Sequence, residues 1–280
     1  MRHHTFTTRP IAAAVSLALL TMGSAWAQSN PADASKDGMN FDQIVVTGTS
    51  TAKSKMKQSV SVSTLSAEQM EKTGATSAAE LLRAIPGVRS ESSGGEGNAN
   101  ITVRGVPLSA GGSRYVQLQE DGLPLILFGD VSFGTADQFL RADFNVDRLE
   151  VIRGGSASTL ATNSPGGIVN FISKTGAEAG GSAALTAGLQ QRQTRLDVDY
   201  GGSLGPRTTF HIGGFQRTGE GARAAGFNTE NGGQIRANIT QQLDNGYICF
   251  RVKSLEDRTP TMLPVPVTVS NGQINTINGI

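Results

Sequence analysis

The chain has 280 residues with 35 glycines and only 5% aromatics, a composition that leans towards turns and strands and away from a compact soluble enzyme. Its 24 basic and 23 acidic residues nearly cancel, which removes the electrostatic case for nucleic-acid binding. One cysteine, Cys249, excludes a disulfide framework or a thiolate metal site built within this chain.

Residues 1–27 have the order of a cleaved export signal: Arg2 and Arg9, an apolar run from Ile11 to Leu20, then Ala25-Trp26-Ala27. The apolar run is too short to span a bilayer. Its removal takes two arginines and no acid, leaving 22 basic against 23 acidic residues and His211 as the sole histidine. One histidine and one cysteine build no three- or four-ligand metal site.

Residues 28–58 are expected to be a flexible tail. Within it, FDQIVVTGTS (41–50) contains the β-branched Ile44, Val45 and Val46, which favour an extended, half-buried strand. The polar flanks on either side offer this strand no core, so its partner is expected elsewhere.

Residues 59–175 are expected to form an α+β domain, a small mixed sheet with short helices. The run SVSVST alternates like a strand, and Ser66-Ala-Glu-Gln69 and Ser77-Ala-Ala-Glu80 have capping-box spacing that opens two helices. The second helix should stop at Pro86-Gly87. Short strands are expected at NITVRG (100–105), YVQLQEDG (115–122), DRLEVIRGG (147–155) and GGIVNFISKTG (166–176). The last is apolar on both faces, so it needs cover on both sides.

From 176 to 280 the pattern becomes one of strands with one apolar and one polar face. Leu196, Val198 and Tyr200 alternate with Arg195, Asp197 and Asp199. Ile235, Ala237 and Ile239 alternate with Arg236, Asn238 and Thr240, and Ile248, Phe250 and Val252 with Cys249, Arg251 and Lys253. Weaker versions at SAALTAGLQ and TTFHIGGFQ bring the count to five, with Phe215 out of phase in the latter, as a bulge would make it. A soluble sandwich would also alternate. The connections favour a membrane barrel: GSLGPR and DNG are tight, while 218–233 and the stretch after the fifth strand are long. The connection near Gln190–Gln193 is short and breaks that trend. The expected fold is therefore the α+β domain followed by an incomplete antiparallel transmembrane β-barrel.

At this point the residues resemble a family. DQIVVTG (42–48) looks like a TonB box, and LLRAIPGV (81–88), ITVRG (101–105), QEDGLPL (119–125), DRLEVIRGGSAS (147–158) and SPGGIVNFISKTG (164–176) follow in the order of plug-domain signatures. The chain resembles the N-terminal part of a TonB-dependent outer-membrane receptor. It departs at LATNS (160–164), where members often carry Tyr-Gly. The resemblance implies a location in the outer membrane, contact with its lipid, a small-molecule metal chelate as substrate (most commonly a ferric siderophore) and no cofactor. It implies that Asp42, Gln43, Ile44, Val45, Val46, Thr47 and Gly48 pair with the periplasmic domain of TonB. Arg104 and Arg153 correspond to a plug–barrel latch whose acids belong to later strands. Gly105, Gly122, Gly154, Gly166 and Gly167 take strand ends that need positive φ or close backbone approach. Arg114, Phe128 and Phe133, in the loop-like stretches 107–115 and 125–134, are candidate substrate contacts. The family's barrel has 22 strands, so five are expected to leave open edges and no transport by this polypeptide alone. A free-standing plug that binds TonB or a ligand without transport is the alternative. An enzyme reading from Ser50-x-x-Lys53 and Lys174-Thr175-Gly176 lacks the accompanying S-D-N element and places its serine in the polar tail.

Overall fold

The computed structural model describes residues 44–45, 47, 53–54, 61–92, 95–106, 115–125, 136–154, 161, 164–189, 192–221, 225–262 and 266–277. The expected export signal, most of the tail, and Asp42, Gln43, Val46, Gly48, Arg114, Phe128 and Phe133 lie outside the described residues. All described residues belong to one unit, Asp42–Ile280.

The chain opens with two short strands, β1 (Ile44–Val45) and β2 (Lys53–Ser54), which pair antiparallel. That corrects the expectation that the flanks offer Ile44 and Val45 no partner. Strand β3 (Val62–Ser66) then leads into α1 (Ala67–Thr73). Both halves of the capping box form: Gln69 N–H donates to Ser66 Oγ, and Ser66 N–H to the Gln69 side chain. Helix α1 ends on Gly74 at φ 62°, where a left-handed residue closes the last turn. The second box opens α2 (Ala78–Arg83), which ends at Ala84 ahead of Pro86-Gly87.

A hairpin of β4 (Val88–Glu91) and β5 (Asn100–Val103) follows, then β6 (Val116–Glu120), the short β7 (Leu123–Pro124), a 3-10 turn (Ala136–Phe139), β8 (Val146–Arg153) and β9 (Gly167–Ser173). The central sheet has the order β3-β8-β9-β6-β7. It is mixed, because β6 and β9 run parallel while every other pair is antiparallel. Leu149, Val151, Val169 and Phe171 point from one face into the main core with Leu81, Leu82, Ile101 and Leu118. Alternation sends Glu150, Ile152, Ile168 and Asn170 to the opposite face, where Val62, Ile152 and Ile168 form a smaller apolar cluster.

The five alternating strands are β10 (Gly180–Gly188), β11 (Gln193–Gly205), β12 (Thr208–Gly219), β13 (Glu230–Leu243) and β14 (Gly246–Arg258). They form one antiparallel meander that is not closed. The register of β12 on β13 runs unbroken from Thr208 to Gly219, so there is no bulge at Phe215. Phe215 shares the inward face with His211 and Arg217, and Phe210 and Ile212 carry the outward one. The apparent phase break is an aromatic placed on the polar face. A last hairpin, β15 (Val267–Ser270) with β16 (Gln273–Thr276), turns on Asn271-Gly272, both at positive φ. No sequence expectation named it.

The meander is inverted relative to a soluble sandwich. Its charged face is buried against the mixed-sheet domain: Arg195, Asp197, Asp199, Arg217 and Arg236 are all at or below 9% exposure. Its apolar face is open, with Ile248 at 62% and Phe250 at 67%. A sandwich in water would turn that face inward; a strand in lipid turns it outward.

Candidate functional site

Two features stand out, and strand β9 joins them. The first is the docking of the N-terminal segment. Register places Glu150 of β8 directly opposite Asn170 of β9. Both side chains lie on the face away from the main core and are fully buried. Thr47 caps the pair: its N–H donates to Glu150 Oε2 at 2.8 Å, and its Oγ1 accepts from Asn170 Nδ2 at 2.8 Å. Thr47 is itself only 3% exposed. A buried carboxylate is costly unless paired and hydrogen-bonded. Here Arg148 Nε supplies the charge, 2.8 Å from Glu150 Oε1. Burial works against the Arg148 guanidinium, but Glu150 and Asp147 outweigh it and hold it above the ordinary arginine value.

The second feature is the polar seam between the mixed-sheet domain and the meander. At the end that carries the 220–229 connection, Arg217 binds Asp257 through two nitrogens, at 3.0 and 2.6 Å, and Glu96 at 2.6 Å. Arg141 reaches the same Asp257 at 2.5 Å. In the middle, Lys253 and Arg236 converge on Glu120 at 2.8 and 3.4 Å, and Arg251 on Asp121 at 3.0 Å. Arg195 pairs with Asp197, donates to Ala142 O at 2.6 Å, and lies 4.0 Å over the Phe215 ring. At the tight-turn end, Asp199 accepts from Lys174 at 3.1 Å and contacts His211 at 2.9 Å. A cavity of about 960 Å³ opens there, lined by Thr47, Asn170, Lys174, His211, Tyr247 and Arg251 among others.

Of the sequence-expected residues, Ile44 and Val45 sit in β1 and Thr47 in its pocket. Arg153 Nη1 donates to Pro86 O at 2.7 Å, inside the same domain. Arg104 is exposed, its Nη1 beside Gly154. Neither arginine forms an ion pair with β10–β14 among the described residues; that seam is built from the other side chains just named. Gly105, Gly122 and Gly154 have φ of 74°, 82° and 104°. A Cβ at Gly167 would lie 2.3 Å from Ile152 O, so close approach, not only φ, requires glycine there. Lys174, from the enzyme-like motif, is occupied by Asp199, and Ser50 lies outside the described residues. Sequence reasoning missed Glu150 and Asn170, although each is the one polar residue inside an otherwise apolar run, LEVI and IVNFI.

A small mixed-sheet domain seated by charges on the polar face of an outward-apolar meander is the arrangement of a plug against a barrel wall. Residues 54–168 match the TonB-dependent receptor plug domain. Residues 54–168 are a plug domain of the TonB-dependent receptor kind. Over 196 residues it is 29% identical to a ferric enterobactin receptor of Pseudomonas aeruginosa, covering 64% of this chain and 26% of that protein. It is also 29% identical, over 173 residues, to the vitamin B12 transporter BtuB of Vibrio cholerae, covering 61% of this chain and 27% of that one. The matched part thus spans about a quarter of these relatives' own length. The crystal structure of the ferric yersiniabactin uptake receptor FyuA from Yersinia pestis superposes with a TM-score of 0.54 at 19% identity, over 69% of this chain and 31% of that one, which establishes the fold. These relatives are named as receptors and transporters, not enzymes.

Proposed function

We propose that these 280 residues form the plug and first wall strands of an outer-membrane receptor that takes up a scarce nutrient as a small-molecule metal chelate. The inverted meander carries this reading: apolar residues face outward and charges face the plug. The relatives named for ferric siderophores and for vitamin B12 support a metal chelate as cargo, with a ferric siderophore as the first candidate. Residues 1–27 direct export and are cleaved after Ala27. Arg114, Phe128 and Phe133 meet the substrate, and Arg104, exposed on the plug, and Arg153 are latch residues for acids on wall strands other than β10–β14.

Energy coupling is assigned to residues 42–48, which pair as an added strand with the periplasmic domain of TonB. Proline at 45 removes an N–H and fixes φ, so it breaks such a strand. Each lost intermolecular hydrogen bond contributes on the order of 1 kcal/mol, so Val45→Pro is expected to weaken binding roughly 10- to 100-fold. Val45→Thr, which keeps the β-branch, should change it little. Titration of the full chain and its variants with that domain is the test, and equal affinity for wild type and Val45→Pro would remove the assigned role.

A further inference from the structure

We infer that the cavity at the tight-turn end is an exit-side subsite, where an uncharged metal chelate bearing O–H or N–H donors makes its last contact with the wall. This rests on the reading of a metal chelate as the cargo and of the tight turns as the periplasmic end. The cavity holds about 960 Å³, within the roughly 300–1,000 Å³ of small-molecule sites. From the outer end towards the tight turns, the inward face of the wall changes character. Down to the row of His211, Asn238 and Arg251 it is tied to the plug, with Arg251 on Asp121 and Asn238 Nδ2 donating to Lys174 O at 2.7 Å. Beyond that row, Thr209, Thr240 and Cys249 lie side by side across β12, β13 and β14, and Gln242 and Tyr247 form the next pair. None of these five side chains bonds to the plug among the described residues, and all but Cys249 line the cavity.

Charge selects the class of ligand. The bases on the cavity are already taken: Arg251 by Asp121 at 3.0 Å, Lys174 by Asp199 at 3.1 Å, and Arg148 by Asp147 at 2.6 Å. Glu178 is left over, and it is exposed. An anion would thus be desolvated here without a cation to meet it, which is unfavourable. A neutral ligand with donors finds an acceptor in His211, which lines the cavity and is 3% exposed. Its Nε2 lies 2.9 Å from Asp199 Oδ2, which also takes Lys174, while Asp199 Oδ1 accepts from Ser182 N–H at 3.1 Å. A carboxylate only accepts, so the neutral imidazole carries its proton on Nε2 and leaves Nδ1 as an acceptor. Nδ1 has no hydrogen-bond partner among the described residues. An O–H or N–H of the chelate supplies one, and the hydroxyls and amide of Thr209, Tyr247 and Gln242 surround the rest.

Gallium chelates, diamagnetic counterparts of ferric ones, test this by magnetic resonance on the full chain in detergent, with isotope-labelled histidine. His211→Asn assigns the His211 signal by its loss. A neutral gallium tris-hydroxamate is expected to move the His211 Nδ1 resonance saturably, and a trianionic gallium tris-catecholate to leave it in place. Thr209→Val and Tyr247→Phe, which remove one hydroxyl each, should weaken that titration by roughly 3- to 10-fold, the size of one hydrogen bond. A His211 signal unmoved by the neutral chelate, or moved equally by both, overturns the subsite, and so does full affinity in both variants. Equilibrium dialysis of the same samples separates this from the reading on which it rests. Chelate bound to the chain with His211 silent removes the subsite and leaves the receptor reading standing. No chelate of either charge bound anywhere removes both.

Discussion

Arg217 is among the largest side chains in the molecule to be fully buried, and its surroundings explain why a charge is tolerated there. Asp257 takes it in a two-pronged contact and Glu96 takes the remaining nitrogen, so its desolvation is offset by charge-assisted bonds. Removing Arg217 leaves Asp257 with Arg141 alone and takes the close partner from Glu96, and breaking a buried pair of this kind costs about 3–5 kcal/mol. Arg217→Met is therefore expected to lower the unfolding midpoint in denaturant by far more than Arg217→Lys, which keeps the charge and loses only the fork. Equal midpoints for the two would mean that volume, not the ion cluster, holds the seam. At this scale the sequence is half legible. Alternation told which residues of β11 and β13 face the plug, since side chains reverse at each step. It could not tell whom each charge meets, because Arg217 and Glu96 are 121 positions apart and Arg141 and Asp257 are 116 apart. Partners at that separation are chosen by how the two sheets dock, and no local pattern encodes that.

Among the elements, those with local causes were readable. Both capping boxes formed where their spacing required, and α2 stopped ahead of Pro86-Gly87. Residues 59–175, expressed alone, are expected to unfold cooperatively with a low midpoint in urea, because the main core is internal to the plug. The face carrying Glu150 and Asn170 would lose Thr47, which caps the pair. Ser77→Ala should cost a further ~1 kcal/mol through the lost cap. A random-coil circular dichroism spectrum for the isolated domain would contradict the boundary itself. Two elements escaped the sequence reading for different reasons. The β15–β16 hairpin was signalled by Asn271-Gly272 between β-branched runs, a strong turn signature that was passed over. The pairing of β1 with β2 was not signalled, since Lys53-Ser54 has no strand propensity of its own and is held by its partner's register.

For the molecule as a whole, the inverted meander sets the environment the chain requires. Its outward residues, Ile248 and Phe250 among them, gain nothing in water and suit a surface that faces lipid. Among the described residues β10 and β14 are the edges of that meander. In lipid each unpaired edge N–H or C=O costs several kcal/mol, so a sheet spans only when closed. A polypeptide limited to residues 28–280 is therefore expected to bind liposomes through its outward face without inserting. Protease challenge should cut the 206–207 and 244–245 turns readily, because no membrane shields them. Supplying the absent edges, by co-refolding with a second polypeptide that carries further wall strands, should convert the same turns to protected ones. Protection of the meander in liposomes by residues 28–280 as a monomer would show that plug contacts can substitute for edge pairing. The seam makes that outcome worth measuring, since it pairs the inward Arg195, Arg217 and Arg236 with carboxylates, while β10 and β14 each keep an open edge among the described residues.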